Sequence, residues 1–161
     1  MVFLILVIII FIGIATFLLS LGQIVSQSEY LNLYTHSLLS TLMKKDTGFT
    51  EPSCRTVSDI LVCSFLSPTY LCGNQDCFTL AEETVNNDIL QYTLLKEQFR
   101  YLLTVEPEGF AAGTHRVEIG EPSLKSERTD KFTANERIQK VAGGNQFLFN
   151  IQLVIARKEP A

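Results

Sequence analysis

Residues 2–28 carry no charged side chain, and positions 2–21 (VFLILVIIIFIGIATFLLSL) are almost wholly aliphatic or aromatic. Twenty helical residues at about 1.5 Å each cover roughly 30 Å, the thickness of a bilayer's hydrocarbon core. The run therefore predicts a retained membrane or filament-core helix. It is too long for an ordinary buried helix, and Ala15 and Ser20 do not make a good small-x-small signal cleavage site. From Leu21 the pattern turns amphipathic. Leu21, Ile24, Leu31, Leu38 and Leu42 follow three-and-four spacing, with Ser28 and Thr35 filling gaps, which predicts one helix continuing to Lys44–Lys45. Two cations suit a helix C-terminus, where the dipole is negative. Gly13 and Gly22 within it permit close helix approach or a bend but form no GxxxG pair.

Beyond a connector at 46–55, Thr56 with Asp59 reads as a capping box for a short buried helix over TVSDILVCSFL, stopped by Ser67-Pro68. A second box at Thr79–Glu82 predicts a helix over about 80–99, with Val85, Ile89, Tyr92, Leu95 and Phe99 on one face. The period then changes to two. Tyr101–Val105 reads as a strand ending in the turn Glu106-Pro107-Glu108-Gly109, and His115–Ile119 as a short strand. The polar stretch 123–136 reads as an exposed loop. Arg137–Val141 and Phe147–Arg157 flank Ala142-Gly143-Gly144-Asn145 as a hairpin. In its second arm Phe147, Phe149, Ile151, Leu153 and Ile155 face one way, Asn150 and Gln152 the other. The expected fold class is α+β: a long N-terminal membrane or filament-core helix (1–45), then a small head (46–161) with two shorter helices and an antiparallel sheet.

Four cysteines, Cys54, Cys63, Cys72 and Cys77, fall within 24 residues. An even, clustered count outside the apolar run suggests disulfides and an extracytoplasmic, oxidising compartment. The tight GNQD loop favours Cys72–Cys77 with Cys54–Cys63. A four-thiolate zinc site is the competing reading, although the spacings x8, x8 and x4 lack the paired C-x2-C knuckles of zinc ribbons. The net charge of −4 argues against a nucleic-acid partner. No catalytic motif is present: GxSxG, HExxH, P-loop and GxGxxG are all missing. His36 and His115 read as surface or packing residues, Glu82 and Glu83 as capping charges, and Tyr30 with Tyr34 as interfacial anchors or packing residues. No enzyme activity, metal or cofactor is expected.

The uncharged apolar start, the helix that becomes amphipathic, the cysteine loop and the antiparallel sheet together resemble type IV pilins and pseudopilins. Bacterial members usually carry a glutamate where Ile5 stands here, so the likeness is closer to archaeal pilin-like proteins. The resemblance implies a basic leader removed before the apolar segment, leaving Met1 either as the processed N-terminus or as an initiator. It also implies a membrane-inserted precursor, then a cell-surface filament built by self-association through N-terminal helices. Val2, Phe3, Leu4, Ile5, Leu6, Ile9, Ile10, Phe11, Gly13, Phe17, Leu21, Ile24, Leu31 and Leu38 would be its assembly positions. The alternative is a single-pass accessory subunit of a larger membrane complex.

Overall fold

The computed structural model describes residues 2–91, 99–108, 116–142 and 145–158; within these, the side chains of 2–6, 8, 19–28, 90, 91 and 142 are not described. The element order is α1 (Val2–Lys44), α2 (Val57–Leu66), β1 (Leu71–Cys72), β2 (Gln75–Asp76), α3 (Cys77–Gln91), β3 (Phe99–Pro107), β4 (Val117–Gly120), a 3-10 turn (Pro122–Lys125), β5 (Lys131–Ala142) and β6 (Asn145–Arg157). The chain divides into two compact units, Met1–Tyr34 and Thr35–Ala161.

The architecture is α+β with two antiparallel sheets, but the expected long membrane or filament-core helix is corrected. Although α1 is helical from Val2 to Lys44, the continuous apolar stretch with described side chains is ten residues, Ile9 to Leu18. Ten residues rise about 15 Å, half the hydrocarbon thickness. Among the described residues no helix is long and apolar enough to cross a membrane.

In the second unit, the end of α1 buries Thr35, Leu38, Leu39, Leu42 and Met43, the stripe that three-and-four spacing places on one helix face. Lys45 follows and pairs with Asp88 of α3. The connector is ordered by backbone bonds from Thr47 N–H to the Arg55 carbonyl (3.0 Å) and from Val57 N–H to the Lys45 carbonyl (3.0 Å). The Thr56–Asp59 capping box opens α2 as expected.

The second helix begins earlier than expected. It opens at Cys77, and the acceptor for its first turn is Asp76, whose carboxylate takes the Thr79 N–H (2.9 Å) and hydroxyl (2.8 Å). These bonds, the Thr79 backbone donor foremost, hold the Asp76 carboxyl below its ordinary value. Of the face expected along 80–99, Val85 and Ile89 are buried in α3, Phe99 starts β3, and Tyr92 and Leu95 lie outside the described residues.

The main sheet has strand order β4-β3-β6-β5, every neighbour antiparallel. Phe149, Ile151, Leu153 and Ile155 of β6 are buried, while Asn150 and Gln152 lie half-buried on the other face, as alternation predicts. The register brings Leu103 beside Leu153 and Val105 beside Ile151 on that core face. From α2, Phe65 meets Phe149 edge-on at 5.4 Å between ring centroids. The opposite face is covered locally by Leu124 of the 3-10 turn, which packs with Leu102 and Ala156.

The exposed loop expected over 123–136 is also corrected. It contains the 3-10 turn and the first half of β5, which pairs with β6 from Lys131↔Ala156 onward. An edge strand with one face toward solvent carries polar residues at alternate positions, and the inward Phe132, Ala134 and Ile138 are interrupted by Glu136, which hides the period. The hairpin itself is as expected, closing at Ala142↔Asn145, with Gly143 and Gly144 outside the described residues.

Candidate functional site

Two features of the chain invite a functional reading: an apolar surface in the first unit and a sulfur cluster in the second. In the first unit Ile9, Ile10, Phe11, Ile12, Ile14, Phe17 and Leu18 are all exposed, Phe11 by 74%. Full burial of such a side chain is worth about 1.5–3 kcal/mol, so covering these seven from their present half-to-three-quarter exposure offers on the order of 10 kcal/mol. Space around Gly13 is open, with nothing beyond its own helical turn within 4 Å of where a Cβ would stand. The one hydroxyl in the stretch is internally satisfied, since Thr16 Oγ1 donates to the carbonyls of Ile12 and Gly13 at 3.0 Å. That leaves a surface with little polar demand, suited to apolar contact.

The remaining assembly positions distribute differently. The side chains of Val2, Phe3, Leu4, Ile5, Leu6, Leu21 and Ile24 lie outside the described residues. Leu31 is half-buried, and Leu38 is 4% exposed, inside the core of the second unit. Tyr30 and Tyr34 stack on each other, centroids 6.3 Å apart.

The disulfides exist, but their connectivity is corrected. Cys54 bonds Cys72 and Cys63 bonds Cys77, instead of Cys54–Cys63 and Cys72–Cys77. Neighbours in sequence are not joined because the hairpin β1–β2, turned through Gly73 at φ +65°, carries Cys72 under the connector while Cys77 opens α3 against Cys63 of α2. The bridges thus tie the connector to the hairpin and α2 to α3. All four sulfurs are oxidised, so the competing zinc reading has no thiolate ligands in this state.

Around the cluster, Asp59 joins two elements. Its backbone N–H and carboxylate complete the α2 cap with Thr56, and its second oxygen accepts from Lys140 of β5. Burial opposes its charge, but the Lys140 and Thr56 hydrogen bonds outweigh that and hold its carboxyl below the ordinary value. Tyr101 donates to Asn86 of α3, and burial first, then the negative charge of Glu82, pushes its phenol up to about 12. Of the residues weighed for chemistry, His36, Glu82 and Glu83 are exposed, and His115 lies outside the described residues.

Compared with protein families, with curated proteins and with solved structures, the chain matches none.

Proposed function

We propose that this chain is a structural subunit of a pilus-like extracellular filament, self-associating through the exposed apolar segment of α1. The observation that carries this reading is the contiguous apolar exposure from Ile9 to Leu18. An unbroken surface of this size is costly in water and favours association with like surfaces. Two disulfides in the second unit suit an oxidising exterior. The acidic balance suits a solvated outer surface.

Electron microscopy of the native assembly tests it, with Phe11→Asp/Phe17→Asp as the perturbation. Filaments from the wild-type chain, lost in the variant while both disulfides remain formed, are the expected result. A wild-type chain that stays dispersed, or that co-purifies in fixed stoichiometry with unrelated membrane subunits, overturns it.

A further inference from the structure

The four sulfurs are one cluster. Cys72 Sγ lies 3.4 Å from Cys77 Sγ across the gap between the two disulfides. The sulfurs of Cys54, Cys72 and Cys77 all lie within 4.8 Å of one another. Access to them is unequal. Cys54, Cys72 and Cys77 are fully buried, whereas Cys63 is 7% exposed and lines a cavity of about 240 Å³. Leu66, Tyr70 and Val141 contribute apolar wall to that cavity, and Lys140 and Asp59, ion-paired with each other, contribute its charged edge. Opposite Cys63, its partner Cys77 is the first residue of the 15-residue helix α3. Cys63 lines the cavity while Cys77 is fully buried, so attack falls on Cys63 and Cys77 is the sulfur displaced.

The geometry points to Cys63 as an S-thiolation site: a small alkyl thiol enters this cavity, forms a mixed disulfide with Cys63, and sets off a relay through Cys77 and Cys72. In the first step the thiolate RS⁻ attacks Cys63 Sγ, the Cys63–Cys77 bond breaks, and Cys77 leaves with the electron pair. In the second, Cys77 Sγ, freed from Cys63, rotates about its Cα–Cβ bond from the 3.4 Å contact into line with the Cys54–Cys72 bond and attacks Cys72 Sγ. The Cys54–Cys72 bond breaks, Cys72–Cys77 forms, and Cys54 leaves as thiolate and takes up the proton lost by RSH. One thiol is consumed and one is made, and two disulfides become two disulfides, so no oxidant or reductant is required. The order follows from access, because Cys63, which lines the cavity, is attacked first and the fully buried Cys54–Cys72 pair only from within. The relay depends on the sulfur cluster and holds whether or not the chain polymerises.

Peptide mapping tests it on the oxidised full-length chain, treated with 2-mercaptoethanol, quenched with acid and labelled with N-ethylmaleimide. The expected products are the mercaptoethanol adduct on Cys63, a Cys72–Cys77 cross-linked peptide and maleimide on Cys54. Val141→Trp, a change at a side chain 67% exposed, narrows the cavity and slows adduct formation by about tenfold. In Cys54→Ser/Cys72→Ser the relay has no second bond to attack, so maleimide appears on Cys77. A first adduct on Cys54 or Cys72, or loss of both native bonds with no Cys72–Cys77 peptide, overturns the proposal. So does a chain that acquires no adduct, or a Val141→Trp variant modified at the wild-type rate.

Discussion

Replacing Asp59 by Ala removes two kinds of contact at once. The carboxylate accepts the Thr56 N–H at 3.0 Å and the Thr56 hydroxyl at 2.6 Å, and it pairs with Lys140, 81 residues away in β5. A lost cap costs about 1 kcal/mol. A charge-assisted bond to a side chain only 12% exposed adds about 1–2 kcal/mol, more than a surface pair, because Lys140 is itself two-thirds covered and is left without this partner. The expected loss is therefore roughly 2–3 kcal/mol, read as a shift of the urea midpoint with unchanged slope. Thr56→Ala, which removes only the cap, loses about 1 kcal/mol. A double-mutant cycle with Lys140→Met isolates the ion pair. The pH dependence has a definite sign. The folded carboxyl titrates below its unfolded value of about 3.9, so its contribution is complete above about pH 4 and disappears as pH falls through the lower folded value. The stability gap between wild type and Asp59→Asn should narrow in acid below pH 4. A gap that stays constant into that range, or an Asp59→Ala variant within about 0.5 kcal/mol of wild type at pH 7, refutes the account.

Gly120→Ala should destabilise the head by about 1–3 kcal/mol, because Gly120 sits at φ +108° and a Cβ there would stand 2.3 Å from the Tyr101 carbonyl oxygen; thermal unfolding checks this. Cys54→Ala/Cys72→Ala opens a loop of 18-residue separation and should lower stability by about 3 kcal/mol in denaturant titrations, with Cys63–Cys77 retained. Spectrophotometric titration should show one of the five tyrosines ionising only near pH 12, and Tyr101→Phe should abolish that step. Because the folded phenol holds its proton more tightly, its contribution to stability persists up to about pH 10 and is lost above it.

Short-range chemistry was legible where one residue meets another a few positions away. Thr56 and Asp59 announced the start of α2, the Gly-Gly pair announced the β5–β6 hairpin, and alternation along Phe147–Ile155 assigned the core face of β6. The start of α3 is ambiguous in sequence because Asp76 competes with Thr79 for the same role, and both are good caps. The first half of β5 is hidden in sequence because an edge strand shows its charge to solvent, and Glu136 interrupts the inward alternation.

An α+β head, an even set of cysteines and an apolar N-terminal surface are all written in the residues themselves. These follow from composition and periodicity, which act locally. Long-range packing sets which cysteines pair, since bonding depends on how the β1–β2 hairpin and α2 are brought together, and sequence proximity of Cys72 and Cys77 does not measure that. It also decides that Leu38 serves the head's own core while Phe11 and Phe17 stay exposed. An amphipathic stripe states that one face will be covered; which surface covers it is set by long-range packing, where each apolar residue has many equivalent partners.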